Sequence, residues 1–311
     1  MKKLIIHLYE NTGLGNNIVF QKCINACFVV RSWVLSDEKL LKKSFKKSFG
    51  YDIDLDNPIT FSEKIQWLKL YDRTPMLTQC ADKYKVREFI RDKIGEDYLV
   101  PLLFETKNPK DINPENIPDD VPVFIKTNHD SSGGIIIRDK SRVDWKMIQS
   151  TLSKLLNQNY YYLTQEWEYK HIERRIIIEK LLLDKSGKKP IDCKILCFNG
   201  KARLIIMILD VGLPTQSATF YDISWNKKKI KFSPSIYSEM DFVKPKDLDK
   251  IITLTEILSE GFIHVRVDWL YVNKRFYNGE MTFHTASGLN PYRPQKWEKI
   301  LGDYITLPTQ V

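Results

Sequence analysis

Two adjacent polar pairs near the C-terminus have residue types that can hold a metal ion. Arg266 and Asp268 alternate along one predicted strand, and Glu280 and Thr282 alternate along the next, so each pair shares a face. If three residues form the loop between the strands, Asp268 lies opposite Glu280, and their repulsion favours a bound cation. Carboxylate oxygens of this kind suit Mg²⁺ bound to phosphates. A two-residue loop would instead point the two carboxylates to opposite faces.

A second polar row lies on an earlier predicted strand. Asp192 and Lys194 share a face, and the Asn199-Gly200 pair predicts a tight hairpin. Pairing across that hairpin would bring Arg203 onto the same face. Two interpretations remain open, a set of ligand-binding groups and the solvated outer face of a half-buried sheet.

A small-residue loop follows Lys126, which ends a predicted strand. The loop contains Ser131, Ser132, Gly133 and Gly134. Backbone N–H groups of such a loop can surround an anion, and the lysine adds a positive charge. The loop is not a Walker A motif, which needs Gly-Lys-Ser/Thr at the start of a helix. A flexible hairpin loop with a solvated lysine is the alternative.

The elements that must position these residues are helices in the first part of the chain and mainly strands in the second part. Helical patterns cover residues 36–104, and Thr60 with Glu63 has the form of a capping box. A connector rich in Pro, Asn and Asp covers 105–122. From residue 123 onwards, strands and hairpins dominate. This order predicts an α+β fold.

Composition limits the class of protein. The chain has 311 residues, 43% of them hydrophobic, which excludes overall disorder. With 48 Lys plus Arg and 39 Asp plus Glu, its net charge is +9. An anionic partner is indicated, and nucleic acid, a membrane surface, nucleoside phosphates and acidic sugars all fit that charge. The run 18–35 is interrupted by polar residues and is too polar to span a bilayer.

The five cysteines favour a reduced, cytoplasmic protein. Cys23 with Cys27 and Cys193 with Cys197 are each separated by three residues, which differs from the usual two-residue spacing of zinc knuckles. We therefore interpret them as ordinary core residues.

The order and spacing of several segments resemble the TupA-like branch of the ATP-grasp enzymes, which is named for teichuronopeptide biosynthesis. The similarity extends over residues 36–305, whereas residues 1–35 have no counterpart and no known role. The matching segments are 60–72, 81–88, 124–126 with the loop 129–134, 178–181, 192–194, and 265–268 followed by 279–283.

The resemblance implies an ATP site assembled from several of these segments. Lys83 and Lys126 would contact phosphates, and the loop 131–134 would close over them. Backbone groups of a hinge would meet adenine, and the polar row would reach ribose or phosphate. The hinge residues are Glu179, Lys180 and Leu181, and the polar row is Asp192 and Lys194.

The resemblance also implies the catalytic and metal-binding residues. Asp268 and Glu280 correspond to the magnesium carboxylates, and Arg266 would stabilise an oxyanion together with Lys126 and Lys194. Many ATP-grasp enzymes have Asn two residues after this glutamate. Here Thr282 occupies that position, and we expect it as a further metal ligand.

A loop directly after Glu280 is expected to meet the acceptor substrate. The expected contacts are His284, Ser287 and Gly288, with Arg293 binding a carboxylate. The alternatives are a Gly/Pro loop of no special role and, for Arg293, an ordinary surface position.

The implied reaction is carboxylate activation. ATP, with Mg²⁺, would phosphorylate a carboxylate, and an amine would attack the acyl-phosphate to give an amide, ADP and phosphate. The family context implies a uronate of a bacterial surface polysaccharide or capsule and an amino acid or small amine, but no nucleic acid. The enzyme would work in the cytoplasm, at the inner membrane face if it associates with membrane. Neither the oligomeric state nor the identity of the substrates follows from the sequence.

The resemblance divides the chain into parts that enclose ATP. Residues 1–35 form an N-terminal segment, 36–122 a mainly helical subdomain, 123–180 the lid and 181–311 the catalytic subdomain. These boundaries are expectations from the family pattern.

Two other functions fit parts of the sequence. A metal-dependent glycosyltransferase would use an Asp-x-Asp motif, and the candidates lie within 52–56 and at 247–249. A non-catalytic binder of acidic glycans would use the lysine runs at 42–47 and 227–231, although such runs usually form a solvated face.

Overall fold

The computed structural model describes residues 18–119, 121–131, 133–232, 236–237 and 240–308. Within these ranges, the α-helices are α1 Ile18–Val34, α2 Asp37–Phe49, α3 Phe61–Tyr71, α4 Pro75–Ala81, α5 Val86–Ile94, α6 Trp145–Leu156, α7 Tyr161–Thr164, α8 Leu248–Ser259 and α9 Lys296–Asp303. The β-strands are β1 Leu102–Thr106, β2 Val123–Thr127, β3 Ile135–Ile137, β4 Ile176–Lys180, β5 Ile191–Phe198, β6 Lys201–Leu209, β7 Ser217–Asp222, β8 Lys227–Lys228, β9 Lys231–Phe232, β10 Ile236–Tyr237, β11 His264–Val272, β12 Arg275–Thr282 and β13 Tyr292–Arg293.

Local capping chemistry fixes the first helices. The Ser36 side chain caps α2, which ends at Gly50 in the left-handed conformation. The predicted capping box of α3 is present: the Thr60 side chain accepts from the Glu63 N–H, and Glu63 accepts from the Thr60 N–H at 2.8 Å. These contacts satisfy N–H groups that have no partner inside the helix.

The smaller sheet has the antiparallel order β1-β4-β2-β3. Its strand β1 lies at the end of the range expected to be helical, so the helical prediction is wrong there. Short apolar runs fit either element when only the sequence is considered, and pairing with β4 decides the outcome. The core of this sheet is apolar and includes Val123, Ile125, Ile176 and Ile178.

The larger sheet has the order β10-β7-β6-β5-β11-β12, and β8 pairs with β7. Alternate residues of its central strands enter two cores, because successive side chains point to opposite faces. Cys193 and Ile195 pack with residues of α5 and α8, whereas Leu196 and Phe198 pack with residues of α2 and α3. Helices therefore pack on both faces of the sheet.

The cysteines with described side chains are free. Cys80, Cys193 and Cys197 are buried, and burial raises the pKa of the Cys197 thiol to about 12. These three are core residues, as predicted. Cys27 is exposed, and the side chain of its predicted neighbour Cys23 lies outside the described part of the chain.

Among the described residues, no helix is both long and apolar enough to cross a bilayer.

Candidate active site

A cleft of 540 Å³ is lined by residues of both sheets. This volume lies in the range of sites that bind small ligands. Seven of the predicted lysine, arginine, aspartate and glutamate side chains line it together. They are Lys83, Lys126, Asp192, Lys194, Arg266, Asp268 and Glu280.

The floor of the cleft is the β11–β12 hairpin, where Asp268 pairs with Glu280 and Arg266 with Thr282. The loop has the two residues of the second alternative, both with positive φ. The carboxylates nevertheless lie opposite each other, as the three-residue alternative would have placed them, because a bulge at Gly279 restores the alignment. An extra residue in one strand changes the side of the sheet to which the following side chains of that strand point.

Asp268 is held between two cations. Its Oδ1 accepts from Arg266 Nε at 2.6 Å, and its Oδ2 accepts from Arg266 Nη2 at 2.7 Å and Lys194 Nζ at 2.5 Å. Burial alone would raise the pKa of Asp268, but the two cations outweigh it and lower the pKa. Arg266 also donates to Thr282 Oγ1 at 3.1 Å. Asp268 is therefore an anion with a fixed orientation.

Asp192 lies beside this cluster, with its Oδ2 3.3 Å from Lys194 Nζ. Burial raises the pKa of Asp192, and Lys194 opposes that shift. The predicted partner Arg203 does not join the row, because a second bulge in the β5–β6 pairing shifts the register after Leu196. Arg203 is exposed and stacks on the Tyr304 ring at 5.3 Å.

Lys83 joins the floor of the cleft to the smaller sheet. Its Nζ donates to Asp130 O at 2.5 Å and lies 3.3 Å from Glu280 Oε1. Its N–H donates to Asn128 O, and the Asn128 amide donates to Asp82 Oδ1 at 2.7 Å. The segment around Lys83 is thus fixed against the end of β2.

Lys126 projects from β2 and pairs with Glu179 Oε2 at 2.8 Å. Glu179 is buried and also binds Arg87 at 3.2 Å. The N–H groups of Lys180 and Leu181 donate to proline carbonyls at 2.9 and 2.8 Å. An adenine contact at this predicted hinge would therefore depend on carbonyl groups, because both N–H groups are engaged.

The predicted flap lies over the cleft. Ser131 and Gly133 line it, and Gly133 has φ +84°. Gly134 is packed closely under the Phe124 ring, where a Cβ would be 2.5 Å from Cζ. The predicted flap residue Ser132 lies outside the described residues.

The acceptor loop Thr285–Gly288 is held by α3. Gln66 Nε2 donates to the Ser287 and Gly288 carbonyls at 2.8 and 2.9 Å, and Lys69 Nζ donates to Ser287 Oγ at 2.6 Å. Ala286 and Ser287 have φ of 47° and 59°. Non-glycine residues rarely adopt this conformation, and such strain is concentrated at functional sites.

The predicted acceptor residues divide into two groups. His284 and Ser287 line the cleft, and Gly288 is buried directly behind them, with φ +61° and no room for a Cβ. Arg293 does not line the cleft. It is exposed on β13, which pairs with β9, so it has the surface position given as its alternative.

Several residues of the site were not predicted from the sequence. Gln66 and Lys69, which hold the loop 285–288, could have been identified, because they are polar residues three positions apart on a helix face that also carries apolar residues. The residues that line the cleft itself and were not predicted come from loops or from apolar strand positions without a periodic signal. They are Phe124, Asp130, Tyr160, Glu166, Leu270, Gly279 and Ala286.

The groups of the cleft suit a nucleoside phosphate with Mg²⁺. Lys83, Lys126 and Arg266 are cations beside an anion-binding loop, as phosphates require. Asp268 and Glu280 offer the hard oxygen atoms that Mg²⁺ takes. Glu280 is the more available of the two, with its side chain 23% exposed against 8% for Asp268.

The sequence matches the model of the TupA-like ATP-grasp family over residues 63–306. The chain belongs to this family. Membership confirms the predicted α+β ATP-grasp fold and the predicted enzyme class, an ATP-grasp ligase. Such ligases generally use ATP to join a carboxylate to an amine.

Solved structures with a similar fold include three ligases. D-alanine–D-alanine ligase from Bacillus anthracis complexed with ATP has 19% identity and a TM-score of 0.40, over 74% of this chain and 67% of that one. ATP-grasp ligase PsnB with a precursor variant, Mg and ADP has 8% identity and a TM-score of 0.40, over 78% of this chain and 64% of that one. The ADP complex of PurK, N5-carboxyaminoimidazole ribonucleotide synthetase, has 13% identity and a TM-score of 0.38, over 71% of this chain and 50% of that one.

The chain therefore spans about half to two thirds of the length of these three proteins. No curated protein sequence is a significant match. The substrates of this chain are accordingly a matter for proposal.

Proposed function

We propose that the protein is an ATP-dependent carboxylate–amine ligase that forms an amide through an acyl-phosphate. The observation that carries this proposal is the convergence of four cations and two opposed carboxylates on one cleft of 540 Å³. Such a set can hold a polyphosphate and offset the charge that develops on a transferring phosphoryl group. The predicted subdomains would enclose ATP between the two sheets.

The phosphate and metal groups have separate tasks in this proposal. Lys83 and Lys126 bind phosphate oxygens from the side of the smaller sheet. Arg266 and Lys194 lie at the floor, where an acyl-phosphate or tetrahedral oxyanion needs positive charge. Asp268 and Glu280 would hold Mg²⁺, which neutralises charge on the phosphates when bound.

The reaction begins when a carboxylate oxygen attacks the γ-phosphorus of ATP. A new P–O bond forms, and the bond to ADP breaks, with its electron pair leaving on ADP. The amine nitrogen then attacks the acyl carbon, and phosphate leaves. Lys126 and Lys194 orient the phosphates, and the flap around Gly133 excludes water from the intermediate.

The nucleotide base would lie against the apolar walls of the cleft, Phe124 and Leu270. Gly134→Ala should therefore impair nucleotide binding, because its Cβ would lie 2.5 Å from the Phe124 ring and 2.8 Å from the Ile125 carbonyl. We expect a loss of about 1–3 kcal/mol in unfolding free energy and a roughly tenfold rise in the KM for ATP. Urea unfolding and initial rates measure the two effects. An unchanged KM for ATP would contradict this position for the base.

The carboxylate substrate in this proposal is a uronic acid of a bacterial surface polysaccharide, and the nucleophile is an amino acid or small amine. The resemblance to the branch named for teichuronopeptide biosynthesis supports this choice. The net charge of +9 is compatible with an acidic glycan. Such a ligase would act in the cytoplasm, at the inner membrane face where glycans are assembled.

The features of the two other functions lie away from the cleft. The Asp-x-Asp candidates in 52–56 and 247–249 do not line it. Asp54 instead accepts N–H groups of its own turn. The lysine runs are partly neutralised, with Lys46 bound to Asp52 and Lys228 to Asp222. These observations favour the ligase.

The experiment is a measurement of ADP release with ATP, Mg²⁺, a panel of uronic acids and uronate-bearing glycans, and a panel of amines. We expect release that requires both an acid and an amine, with an amide detected by mass spectrometry. The matched control omits either partner. Hydrolysis of a nucleotide sugar without consumption of ATP would contradict the proposal.

A further inference from the structure

A buried acidic pocket, defined by Glu166, Glu168 and His284, opens onto the cleft. One potential ligand atom from each residue lies within 4.8 Å of the other two. The residues are 4%, 1% and 2% exposed, and both Glu166 and His284 line the cleft. The phosphate and metal assignments above use none of these three groups.

One carboxylate oxygen of this pocket has no partner. Glu168 Oε1 lies 2.7 Å from His284 Nδ1, whereas Glu168 Oε2 is buried without a hydrogen bond in the part of the chain that the structure describes. Leaving a buried acceptor unpaired costs about 1–3 kcal/mol. The pocket is therefore incomplete without a hydrogen-bond donor.

Lys69, a lysine beside the pocket, does not supply that donor. Lys69 is fully buried, and its Nζ already donates to Thr164 O at 3.0 Å, to Ser287 Oγ at 2.6 Å and to Gln66. These three contacts use the three donors of an ammonium group. Lys69 holds the acceptor loop and leaves the pocket acidic.

The pocket borders the cleft in which phosphoryl transfer is proposed. Glu166 and His284 line the same cleft as Arg266 and Glu280. A substrate in the pocket would therefore share this cleft with the acyl group.

We propose that this acidic pocket binds the nucleophile as an ammonium ion and that Glu166 removes the proton that blocks its attack. The assignment rests on the proposed ligase function. An amine is protonated near neutral pH and cannot attack until it loses a proton, so a buried carboxylate beside the acyl group meets both needs.

The proton balance is complete with the groups present. Glu166 takes one proton from the ammonium ion, and the free amine attacks the acyl carbon. The C–N bond forms, the C–O bond to phosphate breaks, and phosphate leaves with the electron pair. The second nitrogen proton departs with the phosphate. Burial and then Glu168 raise the pKa of Glu166 to about 7, a value suited to this transfer.

Other ionisable groups act on Glu166 and affect its proton. Glu168 raises the pKa of Glu166, whereas Lys69 and His284 lower it, as does a hydrogen bond from Ser287. Further ionisable neighbours of the pocket are Asp72, Tyr160 and Tyr169.

Hydrogen bonding, rather than spacing, favours an ammonium ion over a transition metal in this pocket. The potential ligand atoms lie within 4.8 Å of one another, a limit that the acceptors around an ammonium ion and the ligands of a zinc ion both satisfy. His284 is already bonded to Glu168, which reduces its availability to a metal.

Two measurements on Glu166→Gln test the proposal. Glutamine keeps the shape of the neutral carboxyl group but cannot accept the proton. With ATP, Mg²⁺, the uronate panel and hydroxylamine, the variant should form acyl hydroxamate within about twofold of wild type, because neutral hydroxylamine needs no base. Its kcat/KM for the substrate amine should fall at least about 100-fold. Amine use within threefold of wild type would overturn the assignment.

A binding measurement without ATP tests the pocket independently of the proposed reaction. Without ATP, methylammonium chloride should raise the melting temperature of wild type above that in sodium chloride of equal ionic strength, and it should not do so for Glu166→Gln or Glu168→Gln. An equal rise in the melting temperature of the variants would contradict the assignment of the pocket as an ammonium site. Protection of wild type without any ATP-dependent hydroxamate would support the pocket and contradict the ligase function.

Glu298→Gln is the matched control, since Glu298 is 3% exposed and accepts N–H groups of Ser62 and Tyr292 outside the cleft. We expect lower stability with unchanged amine kinetics and unchanged methylammonium protection. A stoichiometric transition metal in the purified wild type that is absent from Glu168→Gln would overturn the ammonium assignment.

Discussion

Asp268→Asn is expected to lower the free energy of unfolding by about 3–5 kcal/mol and to reduce ATP-dependent activity about 10²–10³-fold. The substitution keeps the shape but leaves Arg266 and Lys194, both of which bind Asp268 within 2.7 Å, without their shared anion. Two partly buried cations would then remain close together. Urea unfolding and ADP release measure the two effects.

Two comparisons test this explanation. Adding Lys194→Met to Asp268→Asn should recover about 0.5–3 kcal/mol through their coupling, because it removes one unpaired cation. Asp192→Asn is the matched control. Burial already raises the pKa of Asp192, so a neutral side chain at this position costs less unfolding free energy than one at position 268. Equal destabilisation by Asp192→Asn and Asp268→Asn would contradict the special role of the Asp268 cluster.

The pH dependence of stability has a defined sign for Asp268. Its pKa in the folded protein is lowered from the usual 3.8, since Arg266 and Lys194 outweigh burial. The stability that ionised Asp268 contributes is therefore present above the pKa of the residue in the unfolded chain. This stability is lost as the pH falls through the lower pKa of the residue in the folded protein. Unfolding of wild type at decreasing pH should show this loss, and Asp268→Asn should show a smaller change in the same range.

Features that depend on local chemistry could be predicted from the sequence. The capping box at Thr60 and Glu63 follows from residue types three positions apart, and the hairpin at Asn199-Gly200 follows from two turn residues. Neither depends on distant parts of the chain. The strand β1 was not predicted, because its formation depends on pairing with β4, more than 70 residues later.

The sequence left two loops open for the Asp268–Glu280 hairpin, and only the three-residue loop was expected to align the two carboxylates. The loop has two residues, and a bulge at Gly279 gives the same alignment. Glycine inside a strand pattern is a recognised sign of a bulge, so the sequence contained the missing information. The bulge at Leu196–Cys197, which displaces Arg203, has no glycine and left no such sign.

The acidic pocket could not be predicted from sequence spacing. His284 and Glu168 are 116 residues apart, and Lys69 and Ser287 are 218 residues apart. Glu166 follows α7 in an irregular segment without hydrophobic periodicity. Only the packing of α3 and the acceptor loop around the end of the cleft brings these groups together.

Glu280→Gln is expected to reduce ATP-dependent activity about 10²–10³-fold while changing the free energy of unfolding by less than about 1 kcal/mol. Its side chain is 23% exposed, and its contact with Lys83 is 3.3 Å long, so little stability depends on it. If Glu280 holds Mg²⁺, the metal concentration that gives half the maximal rate should also rise. Rates over a magnesium titration, with urea unfolding, measure these effects.

Glu105→Gln is the matched control for this variant. Glu105 has a side chain 33% exposed and pairs with Arg175 at 2.8 Å, on a strand of the smaller sheet outside the cleft. We expect a similarly small change in stability and no change in activity or in magnesium dependence. Because both variants remove one partly exposed carboxylate charge, a loss of activity confined to Glu280→Gln would follow from its position in the cleft. Equal losses in both variants would contradict its assignment as a metal ligand.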